Sequence, residues 1–131
     1  MNKKQKNKLI WVGVSIGILI IAGLLYWQKN RPGELDGFAR CIEEKDATFY
    51  GAFWCPHCKD QKALFGASTK YLPYIECSTP DGQSQTQVCK DKGIVGYPTW
   101  IFANGNRQSG VVSLEDLSAT TSCVLPSTVT N

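Results

Sequence analysis

Cys55 and Cys58 stand at Cys-x-x-Cys spacing, with Pro56 and His57 between them, where an apolar run gives way to a charged helical pattern. Cysteines so placed can close a tight disulfide. The first sits where a helix N-terminus offers free backbone N–H groups and a partial positive charge. Both features serve the thiolate, the nucleophile of thiol–disulfide exchange. His57 adds an imidazole to the same turn, where a cation or N–H donor stabilises a Cys55 thiolate; the competing reading is a solvent-exposed turn residue. Trp54 precedes the first cysteine and reads equally as a substrate contact or as core. Downstream, Gly96-Tyr97-Pro98-Thr99 places a proline at the mouth of the apolar run Trp100-Ile101-Phe102.

The other cysteines are Cys41, Cys77, Cys89 and Cys123. Four cysteines allow three connectivities. The favoured one joins Cys77 to Cys89, clamping a polar loop, and Cys41 to Cys123, tying the first domain helix to the last. A second redox relay at Cys77 and Cys89 is the sharper alternative, but nothing marks either as a reactive thiol. A zinc site would need Cys77 and Cys89 to join Cys55 and Cys58, and a second short-spaced pair is missing. No metal and no cofactor beyond a redox-active disulfide is expected.

The elements that must position these residues follow from periodicity. Leu35, Phe38, Ala39 and Ile42 recur at helical spacing. Residues 47–53 form an aromatic-rich strand, and Pro56 opens a helix at a position where its missing N–H is not needed. That helix is expected to run toward Lys70, with Ala63, Leu64 and Ala67 inward and Gly66 as its weak point. A second strand spans 72–77, a loop 78–82, and a short helix 83–92 ending at Gly93. Strand 99–103, the Asn104-Gly105 turn and a strand to Val112 make a hairpin. Ser113-x-x-Asp116 caps a last helix with Leu114 and Leu117 inward. The pattern predicts an α/β fold, a central mixed sheet flanked by helices.

Ahead of it, Leu9 to Trp27 carries no charge and a single polar side chain, Ser15. Nineteen helical residues span roughly 28 Å, about a bilayer core. Trp11, Tyr26 and Trp27 sit where interfacial aromatics belong. The exit is bulky, so an uncleaved signal-anchor is preferred to a cleaved signal peptide. The division is a basic tail 1–8, a transmembrane segment 9–27, a linker 28–33, the folded domain 34–123 and a polar tail 124–131. The net charge of +3 splits into +6 over the first 31 residues and −3 over the rest. Lys3, Lys4, Lys6 and Lys8 hold the N-terminus in the cytoplasm, so the domain faces the periplasm, a cell-wall space or a lumen. Disulfides persist there. Positive charge that flanks an apolar run gives nucleic acid no face to bind.

The run 49–62 around Trp54-Cys55-Pro56-His57-Cys58, with Tyr74-Ile75-Glu76-Cys77 and Gly93-Ile94-Val95-Gly96-Tyr97-Pro98-Thr99-Trp100, resembles the thioredoxin superfamily. More narrowly, it is similar to the thioredoxin-like domain associated with bacterial and plant vitamin K epoxide reductase homologues. The resemblance covers roughly residues 35 to 123 and implies a thioredoxin-like fold. It implies Cys55 as the exposed attacking cysteine, Cys58 as the resolving one, and Pro98 as a cis proline that, with Trp54 and Tyr97, docks substrate. It implies electron transfer from protein thiols to a quinone-linked membrane partner. Cys-Pro-His-Cys leans toward the oxidising end of the range, between about −270 and about −120 mV. The rival readings are a reductase keeping exported proteins or apocytochrome reduced, and a non-catalytic disulfide-stabilised binding module. One departure stands out: many thioredoxin-fold enzymes carry a buried acid six residues before the first cysteine, where this chain has Phe49.

Overall fold

The computed structural model describes residues 2–129, which divide into two units between Arg31 and Pro32. The first is a single helix, α1 (Lys3–Lys29), which includes most of the basic tail and the first residues of the expected linker. No side chain of α1 is buried, and its apolar side chains from Leu9 to Trp27 stand exposed. Length and composition make it a candidate membrane span. Arg31 lies over the Trp27 ring at 4.9 Å from its centroid.

The second unit runs α2 (Asp36–Glu44), β1 (Thr48–Gly51), α3 (Pro56–Phe65), a 3-10 segment (Gly66–Tyr71), β2 (Tyr74–Glu76), α4 (Gln87–Asp91), β3 (Thr99–Ile101), β4 (Arg107–Ser109) and α5 (Leu114–Thr121). The four strands lie in the order β2-β1-β3-β4. β1 pairs parallel with β2 and antiparallel with β3, and β3 pairs antiparallel with β4, so the sheet is mixed.

Period-2 alternation sends neighbouring residues of β1 to opposite faces. Phe49 joins the larger core with Phe38, Ile42, Phe65, Trp100 and Leu117, from α2, α3, β3 and α5. Tyr50 joins a smaller one with Cys77, Cys89 and Ile94. Phe49 pairs with Trp100 across the ladder, their rings stacked at 5.2 Å. Leu35, Phe38, Ala39 and Ile42 are all buried, as their helical spacing requires. The Asn104-Gly105 turn joins β3 to β4, and the Ser113 side chain accepts from the Asp116 N–H at the start of α5.

Helix α3 departs from expectation in length and in phase. It ends at Phe65, where Gly66 takes a positive φ of 51° and the chain tightens into the 3-10 turn. Its inward face is Cys58, Gln61 and Phe65, while Ala63, Leu64 and Ala67 are exposed. Gln61 sets this phase. Fully buried, it accepts from the Trp100 indole N–H (3.2 Å) and the Val112 N–H (2.7 Å) and donates to the Val112 carbonyl (3.0 Å). A buried amide with these partners is stable where an unpaired one is not. The polar tail is not wholly free either, since Leu125 packs on the larger core.

Candidate active site

Strand β1 delivers the chain to a turn at residues 52–55, closed by the Cys55 N–H donating to the Ala52 carbonyl. Cys55 is the N-cap of α3 and Pro56 its first residue, so the sulfurs lie at the helix end rich in unpaired N–H groups. Both thiols are free. Cys55 is not the exposed residue the resemblance implied; only 5% of its surface is accessible, against 1% for Cys58. The cover comes from the other motif. The Cys55 Sγ donates to the Tyr97 carbonyl at 3.7 Å, the Tyr97–Pro98 bond is cis, and Pro98 is buried. The structure therefore brings Cys55, Cys58, Tyr97 and Pro98 together across 42 residues of sequence.

Burial pushes the Cys58 thiol up to about 12, a hydrogen bond from the Ala52 backbone opposes the rise, and the Cys55 sulfur adds to it. Cys58 is a thiol at neutral pH. His57 points elsewhere: its ring is largely exposed, with Nδ1 3.7 Å from the Asp60 carboxylate, one turn along α3. The described contact of the imidazole is a surface pair, not a bond to Cys55.

Trp54 is half exposed, its indole N–H donates to Ser78 (2.9 Å), and its ring meets Tyr97 edge-on at 5.9 Å. Tyr97 in turn accepts from Gln85 (2.8 Å). The polar loop runs on past residue 82, the expected helix beginning only at Gln87; Ser78 and Gln85 bridge each other across it, and a Cys77–Cys89 disulfide clamps it. The loop thus braces both aromatics beside the thiols, a role its composition did not signal. Cys77 and Cys89, bonded to each other, have no thiolate to offer a metal. The last pair, Cys41–Cys123, joins α2 to the chain after α5 with Cα atoms 5.9 Å apart.

Gly51, Tyr74 and Lys62 adjoin Cys58, and Glu76 joins them through Tyr74. Glu76 accepts from the Tyr74 hydroxyl (2.6 Å) and from the Ser78 and Phe53 N–H groups (2.8 and 3.2 Å). The Lys62 ammonium lies 3.4 Å from the Tyr74 ring centroid. Gly51 makes room: a Cβ there would meet the Cys58 Sγ at 2.8 Å and the Tyr74 ring edge at 2.9 Å. The alternation Tyr74-x-Glu76 beside the register partners Phe49 and Gly51 was the available signal.

Residues 38–122 match the thioredoxin family. The chain is 41% identical over 88 residues to Thiol-disulfide oxidoreductase LTO1 of Arabidopsis thaliana, covering 63% of this chain and 23% of that protein. It is 32% identical over 110 residues to the Thioredoxin domain-containing protein 5 homolog of Drosophila melanogaster, covering 70% and 26%. The chain spans about a quarter of the length of the curated relatives it matches.

Proposed function

The chain belongs to the thioredoxin family, and on that premise we propose that it is a membrane-anchored, extracytoplasmic thiol:disulfide oxidoreductase working as an oxidase. The observation that carries this reading is the free Cys55–Cys58 pair at the N-terminus of α3, faced by the cis Tyr97–Pro98 bond. A substrate thiolate attacks Cys55 of the oxidised pair, the Cys55–Cys58 bond breaks, and Cys58 leaves and takes up a proton. A second substrate thiolate attacks its partner sulfur in the mixed disulfide. The substrate gains a disulfide, and the enzyme holds two electrons as a dithiol.

The half-exposed Phe53 and Trp54 and the fully exposed Val95 give an unfolded protein an apolar surface to rest on. Reoxidation requires an acceptor. A quinone-linked membrane protein of the vitamin K epoxide reductase homologue type fits the likeness to LTO1 and the apolar helix α1. The basic residues before Leu9 favour a cytoplasmic N-terminus and a domain outside it.

The test is to oxidise the full chain in detergent micelles and mix it with a reduced, unfolded protein carrying two cysteines. Disulfide appears in the substrate as thiols appear at Cys55 and Cys58. Transfer that persists in Cys55→Ser, or no transfer at all, contradicts the reading.

A further inference from the structure

Cys58 has to lose a proton each time it closes on Cys55, and it sits where water does not reach. Phe49, the β1 residue on the same sheet face as Gly51, is a hydrocarbon and offers no base. The groups near the Cys58 sulfur are Cys55 and Lys62 and, across the gap left by Gly51, the Tyr74 ring from β2, whose hydroxyl donates to Glu76. Cys55 is itself the electrophile in this step. Lys62 is a cation that favours a thiolate nearby, as its opposing influence on Cys58 shows, but it has no lone pair to accept a proton.

This leaves the hydroxyl–carboxylate pair. The Glu76 carboxylate is fixed by two backbone N–H groups, one from Phe53 in the approach to the active-site turn. Its other oxygen takes the Tyr74 hydroxyl in a short bond. A residue present only for packing would not need a hydroxyl aimed at a carboxylate that is already held in place.

We propose, resting on the oxidoreductase reading above, that Tyr74 and Glu76 form the proton relay of Cys58, with Lys62 stabilising the charge that passes. When Cys55 is bound to a partner sulfur, the Cys58 sulfur attacks Cys55 and the partner leaves as a thiolate. The Cys58 proton goes to the Tyr74 oxygen as Tyr74 gives its own to Glu76. In the opposite direction the same pair returns the proton to the departing Cys58.

Oxidised glutathione serves as the probe, on the reduced full chain in micelles, with acid quenching and mass analysis to separate the two steps. Cys55 first takes one glutathionyl group and releases one glutathione; Cys58 then displaces the other. In Tyr74→Phe and Glu76→Gln the first step stays within about twofold, while the second slows roughly tenfold or more at neutral pH, the lower range of general acid–base effects. The deficit narrows as pH rises, because hydroxide takes over as acceptor. An unchanged second step in both variants, or a deficit equal at every pH, overturns the relay and assigns the pair to packing. If Cys58→Ser accumulates no glutathionyl adduct at Cys55, the oxidoreductase reading itself fails and the relay falls with it.

Discussion

Cys55 and Cys58 on one side, Cys77 and Cys89 on the other, are two pairs of nearly inaccessible cysteines drawn to the same strand, β1. One pair is reduced at the start of a helix; the other is bonded, with the Cys77 backbone joined to Gly51 and Thr86. Burial does not tell them apart. The free pair has a helix N-terminus behind it and a carbonyl, a hydroxyl and an ammonium around it. The clamp pair has Tyr50 and Ile94. The contrast teaches that surroundings, rather than exposure, assign a cysteine to chemistry or to structure.

The largest effect expected is on the redox pair alone. Cys55→Ser should lower thiol transfer by several orders of magnitude while leaving the thermal midpoint of the full chain nearly unchanged. Replacing Cys77 and Cys89 together should do the reverse, keeping exchange measurable and lowering stability. If the two variants behave alike, the contrast is wrong.

Disulfide removal grades next by loop length. Cys41 and Cys123 lie 82 residues apart, and their joint replacement by serine should cost about 4–5 kcal/mol on the chain-entropy estimate. Cys77 and Cys89 lie 12 apart, and their loss should cost about 3 kcal/mol. Denaturant titration reads both. The shorter clamp should also lower the exchange rate, because Trp54 and Tyr97 lose their brace, whereas the longer one should not.

A pH signature belongs to the redox pair only. The folded state holds Cys58 as a thiol to about pH 12, above its ordinary 9.0, so it keeps a proton the unfolded chain gives up. That stability is complete below pH 9 and is lost as pH rises toward 12. The reduced wild-type chain should therefore weaken above pH 9 more than Cys58→Ser does, measured by urea midpoints at matched pH. The smallest effect is Ser78→Ala. The Trp54 indole is half exposed and can turn to water, so the loss should be about 0.5–1 kcal/mol or less.

What the sequence made legible was local. The Cys-Pro-His-Cys turn, the proline at the first helical position, the Asn104-Gly105 turn and the Ser113 cap all declare themselves within a few residues. The resemblance added the cis bond at Pro98. What stayed hidden depends on contacts between distant residues. Gln61 lies outside the inward face that the pattern of Ala63, Leu64 and Ala67 predicted, yet its partners lie 39 and 51 residues away and turn its helix face inward. Cys55 is covered by a carbonyl 42 residues on. The strands came out shorter than their apolar runs, because ladder pairing ends before the hydrophobic pattern does. The Tyr74–Glu76 pair gains its meaning from the missing Cβ of Gly51, a consequence of strand register.

The most direct test of the oxidase reading is the equilibrium reduction potential of Cys55/Cys58 in the full chain, in micelles against a glutathione redox buffer. The reading predicts about −200 mV or higher, well above that of a reducing thioredoxin. A value near −270 mV would contradict it and turn the direction of electron flow around.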